Sequence, residues 1–373
     1  MIYLDSAATT LQKPRSVPRA IYRAVTTMAS PGRGGYSAAN TAAQIAFDCR
    51  EEAARLFGLQ DPEHVVFTCN ATHALNIAIK SVVKPGDTVL VSGYEHNAVT
   101  RPLNAIAGVT VKVADGALFD PEDLLDRFDR MLTPDVDAVI CTHVSNVFGY
   151  ILPVGEIARL CTQRAVPLIV DASQSAGCLC VDMGRWNASF VAMPGHKGLY
   201  GPQGTGLLLC GAPVRTIIEG GTGSESMLQQ MPDFLPDRLE AGTHNVPGIS
   251  GLLEGLRFVR RVGVDTIGRH EVFLIRNMAK KLSQIPGIHV FHAPQHQSGV
   301  LSFVVEGLDC EEVGRRLAAM DIAVRCGLHC APFAHKTAGT LQTGTVRASV
   351  SAFSSERDID RLTNAVNEII SKR

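Results

Sequence analysis

The chain has 373 residues, 46% of them hydrophobic, enough for a large core and for two domains. Its 35 Lys and Arg against 36 Asp and Glu leave a formal net charge of −1, so no long-range field calls for nucleic acid or an anionic membrane. The opening stretch MIYLDSAATT has neither a basic leader nor an apolar run. No segment approaches the roughly 20 apolar residues of a membrane span. Ten cysteines without regular spacing read as reduced thiols, and the expectation is a cytoplasmic protein.

In chain order, helical periodicity covers 15–30 and 41–59. A β-branched strand at 64–68 passes through a polar turn into a helix at 73–83. Strands follow at 88–93 and 109–114, a helix at 121–132, a strand at 136–144 and a helix at 153–165. Further strands occupy 166–172, 189–193 and 204–210. Continuous apolar strands alternating with helices predict an α/β unit with a mostly parallel sheet covered on both faces. After about residue 250 the pattern changes. Amphipathic helices at 248–263 and 270–285 precede strands at 287–293, 299–307, 322–326 and 345–353. A last helix opens with Ser355 and Asp358 at capping-box spacing and runs over 359–372. The division expected is a large α/β domain over 15–250 and a smaller α+β domain made of 1–14 with 251–373.

In open α/β sheets, ligands collect beyond the carboxyl ends of the strands. VPLIVDASQSAG ends an apolar strand on Asp171, whose burial is costly without a cation. One strand later, SFVAMPGHKGLYGPQGTG puts Lys197 in a glycine-rich turn. The pair suits pyridoxal phosphate, the lysine bonding the aldehyde as a Schiff base and the aspartate keeping the pyridine nitrogen protonated. Singly, each is an ordinary loop residue. HVVFTCNATHALNIAI offers a phosphate site at a helix start, from the amides of Ala71 and Thr72 and the Thr72 hydroxyl. Taken alone, a helix cap by Asn70 or Thr72 is the simpler account of that turn. His96 follows the strand TVLVSG and so reaches the same edge. Arg347 lies within the apolar strand TVRASV, where burial demands an anion. No P-loop is present, because GPQGTG lacks the Gly-Lys-Ser/Thr ending. No metal is expected either: neither the cysteines and histidine of RCGLHC nor Cys69 with His73 form a paired Cys-x-x-Cys framework.

The motifs YLDSAATTLQKP, NATHALN, EHNA, HVSNVFG, VDASQSAG, GHKGLYGPQGTG, RLEAGTHN, RCGLHCA and VRAS follow one another along nearly the whole chain. In that order they resemble the class V aminotransferase-fold enzymes, and within them the cysteine desulfurase and selenocysteine lyase family. The resemblance is to the group with an Arg-x-Gly-x-His-Cys loop rather than a long mobile cysteine loop. It implies the fold type I of pyridoxal-phosphate-dependent transferases, pyridoxal 5'-phosphate as cofactor, and a homodimer. Lys197 would carry the cofactor, Asp171 would pair with the ring nitrogen and Gln174 with the ring hydroxyl. His96 would stack on the ring and move protons. Ala71, Thr72 and His196 would hold the phosphate, with Thr243 contributed by the second subunit. Asn146 and Arg347 would bind the carboxylate of an amino-acid substrate, and Arg325 would line the site. Cys330 would be the nucleophile that accepts sulfur, a flanking arginine favouring its thiolate, and Cys326 reads as a bystander or a relay thiol.

The implied activity is desulfuration of L-cysteine to L-alanine with a persulfide on the enzyme, which a sulfur-acceptor protein then relieves. Selenocysteine lyase activity, β-elimination and transamination are the alternatives within the fold, and a non-catalytic scaffold the alternative outside it. Three departures stand out. Pro194 occupies a place where relatives often have a phosphate-binding serine, Gly198 is an additional glycine after the lysine, and His73 replaces an acidic residue.

Overall fold

The computed structural model describes residues 1–32 and 34–372. Thirteen strands are described: β1 (Ile2–Tyr3), β2 (Val65–Thr68), β3 (Thr88–Ser92), β4 (Thr110–Ala114), β5 (Ala138–Thr142), β6 (Leu168–Asp171), β7 (Phe190–Pro194), β8 (Gly206–Cys210), β9 (Ile288–Phe291), β10 (Val300–Val305), β11 (Ile322–Ala323), β12 (Arg325–Gly327) and β13 (Thr345–Ser349). Seven form one sheet in the order β2-β8-β7-β6-β5-β3-β4. β8 runs antiparallel to both neighbours and the other pairings are parallel.

Every residue of β5, β6, β7 and β8 is buried, which is why these segments read as unbroken apolar runs. Alternate residues serve opposite faces. Ala138, Ile140, Ile169 and Phe190 pack with Leu75, Ile77 and Ala78 of the helix Ala71–Val82. Val139, Cys141, Val170 and Val191 pack on the other side with Phe57, Phe128 and Leu252. The result is the expected α/β architecture with a mostly parallel sheet wound on both faces.

A second, antiparallel sheet, β12-β13-β10-β9, is covered by helices Val264–Leu282, Cys310–Ala319 and Glu356–Ser371. Ser355 and Asp358 form the capping box read from their spacing. The helix Val246–Val262 places Ile249, Leu252, Leu253 and Leu256 in the core of the large sheet, whereas the next helix sends Leu274, Ile275 and Met278 to the small one.

Three local readings change. The strand expected at 322–326 breaks at Val324, because Ile322 and Ala323 pair with β1 while Arg325–Gly327 pair with β13. The strand expected to reach 353 stops at Ser349. The helices Asn97–Asn104 and Cys310–Ala319 lie outside the segments expected to be helical, and Pro102 masks the first of them.

Candidate active site

The carboxyl ends of β5, β6 and β7 open onto a cavity of about 530 Å³, counting its mouth. Asp171, the last residue of β6, is buried there, and its Oδ1 accepts the Ser173 N–H at 2.9 Å. Three residues past β7, in the turn Gly195–Gly198, Lys197 enters the same cavity. Burial lowers its amine to about 8, against the opposing pull of Asp171 and with a further push from Arg347. Gln174 lines the same wall, its Nε2 donating to the Ala7 carbonyl at 3.0 Å.

His96 caps the helix Asn97–Asn104, its Nδ1 accepting the Ala98 N–H at 3.0 Å. That bond leaves Nε2 as the nitrogen able to carry a proton. Burial lowers its pKa, opposed by Asp171 and assisted by the charges of Lys197 and Arg347. One residue earlier, Glu95 is completely buried. Its Oε1 accepts from Ser92 Oγ at 2.5 Å and from the Thr142 N–H at 2.8 Å, and its Oε2 has no partner. Burial pushes this acid up to about 8, more than those hydrogen bonds pull it down.

At the other end of the cavity the helix Ala71–Val82 begins, capped by Asn70 Oδ1, which accepts the His73 N–H. Ala71 and Thr72 line the cavity beside His196, so the Asn70 cap leaves the turn expected to meet a phosphate open to the cavity. His196 is held neutral, burial lowering it to about 4, and its buried Nδ1 lacks a partner. A side chain at Gly206 would come within 2.8 Å of the Asn70 carbonyl carbon, so only glycine lets β8 pass beneath this turn. Pro194 lines the cavity without a donor to offer.

Of the carboxylate-binding candidates, Arg347 lies on the inner strand β13 of the small sheet and Arg325 on its edge strand β12. Arg347 is buried on β13, its Nη1 donating to the Asn146 carbonyl at 2.9 Å and its Nη2 to Asp5 Oδ1 at 3.0 Å. Burial lowers its pKa, against the pull of Asp5. Asn146 lines the cavity and donates through Nδ2 to the His329 carbonyl at 2.8 Å. Arg325, more exposed, grips Asp5 through Nε and Nη2, and this hydrogen bonding raises its pKa.

Cys330 is exposed in the short link between β12 and the helix Pro332–Thr337. Its carbonyl accepts the Asn97 N–H at 2.7 Å, next to His96, so the link is tied to the cavity rim at two consecutive carbonyls. His329 and Cys330 both adopt left-handed backbone, with φ of 48° and 56°, an unusual conformation for two successive non-glycine residues. Cys326 faces the other way, with Gly314 close to its Sγ, and burial pushes its thiol up to about 12. It does not share the Cys330 environment.

Thr243, like Arg347, Arg325 and Cys330, is not among the residues that line this cavity. It lies exposed in a neighbouring cleft with Glu240 and His244. That segment is anchored by a buried bidentate pair, Arg50 Nη1 to Glu240 Oε1 at 2.8 Å and Nη2 to Oε2 at 2.6 Å. The Phe67 N–H and His244 Nε2 lie on the same carboxylate, each at 2.6 Å. Arg50 also stacks over the Phe67 ring at 4.2 Å.

Asp5, Glu95 and Ser173 are the site residues that sequence reasoning passed over. All three stand inside quoted motifs, and for the two acids the available signal was a carboxylate following apolar residues in IYLDS and VLVSGYE. Among the described residues, no group of three or more His, Cys, Asp or Glu side chains is arranged to hold a metal ion. Among the described residues, no helix is long and apolar enough to cross a membrane.

A lysine in a glycine turn and a strand-end aspartate share one cavity with a helix N-terminus at a parallel sheet's carboxyl edge. The Aminotransferase class-V family profile matches residues 2–362, and the chain belongs to that family. A relative from Methanothermobacter thermautotrophicus, named "Probable cysteine desulfurase", is 34% identical over 99% of this chain and 94% of its own. A longer one of the same name from Mycolicibacterium paratuberculosis is 33% identical over 99% of this chain, which spans 55% of its length. The solved apo structure of the cysteine desulfurase from Thermococcus onnurineus superimposes with a TM-score of 0.91 at 28% identity, covering 100% of this chain and 95% of the other.

Proposed function

We propose that this chain is a pyridoxal-phosphate-dependent cysteine desulfurase that converts L-cysteine to L-alanine and takes the sulfur onto Cys330 as a persulfide. The observation that carries the reading is the double tie of the cysteine link to the cavity rim, through the Asn97 N–H and the Asn146 amide. The donor set supports the cofactor. Lys197 would hold its aldehyde, Asp171 its ring nitrogen, Gln174 its ring hydroxyl, and His96 its face. Ala71, Thr72 and the unpartnered His196 Nδ1 would meet its phosphate. Bound there, pyridoxal phosphate supplies an electron-accepting ring that makes the substrate Cα proton removable and weakens the carbon–sulfur bond.

The protein's own groups do the rest. Arg347 and Asn146 would orient the substrate carboxylate, the planar guanidinium giving a directional grip. Lys197, with its amine lowered to about 8, exists partly as a free base at neutral pH and would move the Cα proton. His96 Nε2 is the second proton carrier. The Cys330 thiolate attacks the substrate sulfur: a sulfur–sulfur bond forms, the carbon–sulfur bond breaks, and its electron pair returns to the carbon skeleton. A proton completes alanine there. A thiol on an acceptor protein then removes the terminal sulfur from Cys330.

Thr243, exposed and outside its own cavity, fits contribution to the site of a second copy, and we infer a homodimer. Ten free thiols support a reducing, cytoplasmic setting. We retain the two-domain division, 15–250 and 1–14 with 251–373, with the helix Val246–Val262 at the seam.

The test is incubation with L-cysteine, measuring alanine and sulfide. Wild type should produce both, and Cys330→Ala should keep the cofactor but lose sulfide release. Unchanged sulfide from that variant would instead favour elimination or selenocysteine chemistry.

A further inference from the structure

Arg325 and Arg347 are directly opposed residues in the antiparallel pairing of β12 with β13. Like charges in that relation repel, and Arg347 is almost completely buried. This face of the sheet therefore needs an anion before any substrate arrives. Asp5 supplies it, its Oδ1 accepting from Arg347 Nη2 at 3.0 Å and its Oδ2 from Arg325 Nε at 3.1 Å and Nη2 at 2.9 Å. The Asp5 carboxylate is itself buried, and its backbone is clamped between β11 and β13. The Leu4 N–H donates to the Ala323 carbonyl at 2.9 Å, the Ser349 N–H to the Leu4 carbonyl at 2.7 Å, and the Ala7 N–H to Ser349 Oγ at 2.8 Å.

We propose that Asp5 sets the net charge of the carboxylate-binding site and thereby restricts it to amino acids whose only anion is the α-carboxylate. The proposal rests on the reading of Arg347 as the residue that binds that carboxylate. Two guanidinium groups and one carboxylate leave a single positive charge, which one substrate carboxylate neutralises. A side-chain anion finds no unmatched cation there and is repelled by Asp5. The remaining charged groups that act on Arg347 or Lys197 do not alter the balance. Lys197 and Asp171 would be committed to the cofactor's aldehyde and ring nitrogen, and Tyr3, whose pKa burial raises, stays neutral. Asp5 acts through the arginines and is a positioning residue.

The experiment titrates the cofactor-loaded protein with L-alanine and with L-aspartate, following the cofactor absorbance, and compares dissociation constants. Asp5→Asn, which keeps the shape and raises the site to two positive charges, should shift the aspartate-to-alanine affinity ratio toward aspartate by roughly tenfold, about 1.4 kcal/mol. Arg325→Gln, which lowers the site to zero, should shift it the opposite way, and the double variant should return to the wild-type ratio. An unchanged ratio in Asp5→Asn, or a shift in the same direction in both single variants, overturns the proposal. Should Asp5→Asn fail to fold, the ratio in Arg325→Gln decides alone. A wild-type protein that binds neither amino acid would refute the carboxylate-site reading itself and the proposal with it. Normal wild-type binding with an unresponsive ratio counts against Asp5 only.

Discussion

Replacing Arg50 by Met tests whether the Arg50–Glu240 pair anchors the segment that carries Thr243. The substitution keeps most of the side-chain volume but leaves Glu240 buried without its bidentate partner. Removing one member of a buried pair costs about 3–5 kcal/mol, and stacking of Arg50 over Phe67 adds about 0.5–1 kcal/mol. Two donors stay on Glu240, the Phe67 N–H and His244 Nε2, so the lower end of both ranges applies, about 3.5 kcal/mol in all. Unfolding entropy of about 2.1 cal/mol/K per residue over this chain converts that to a fall in Tm of roughly 4.5 °C. Scanning calorimetry at neutral pH measures it. Arg50→Met with Glu240→Leu should recover most of the loss, since an apolar replacement of both partners removes the stranded charge. A single variant melting with wild type, or a double variant worse than the single, would refute this account of the anchor.

Lys197→Ala should abolish the yellow absorbance that a covalently held cofactor gives; a band that survives dialysis in the variant contradicts the lysine's role. In cofactor-free wild type, uptake of pyridoxal phosphate should quicken as pH rises through about 8, because only the neutral amine attacks the aldehyde. A stopped-flow rate flat from pH 7 to 9 excludes that dependence. Glu95, held at about 8 when folded against about 4.5 when unfolded, binds more protons in the folded state between those values. Stability tied to its protonated form is thus complete below about 4.5 and lost as pH rises through 8. Glu95→Gln, which cannot ionise, should gain stability relative to wild type over that window and level off above it. Melting temperatures whose difference stays constant from pH 5 to 8 would show that Glu95 is not the titrating group.

Much of the architecture could be read in advance because β5 to β8 are buried on both faces, and burial leaves an unbroken apolar run in the chain. The site was legible for a related reason. Asp171 ends one such run and Lys197 follows the next in a glycine turn, and it was their pairing at successive strand ends, not either residue alone, that pointed to a site. Asp5 escaped notice because its partners, Arg325 and Arg347, lie more than 300 positions away, and only the clamping of the chain's start between β11 and β13 makes them neighbours. The break at Val324 was hidden for the same kind of reason: Ile322–Arg325 is locally one strand, and two different partners divide it. Glu95 needed the Ser92 hydroxyl and the Thr142 amide, which belong to different strands, before its burial made sense.

The brevity of the link that carries Cys330 has a consequence for cargo delivery. Tied at two successive carbonyls and followed at once by a helix, this stretch has no slack with which to swing outward. On the proposed chemistry, sulfur loaded at the rim cannot be ferried by the enzyme. A recipient must bring its own thiol to the opening, so the contour of that opening selects who is served.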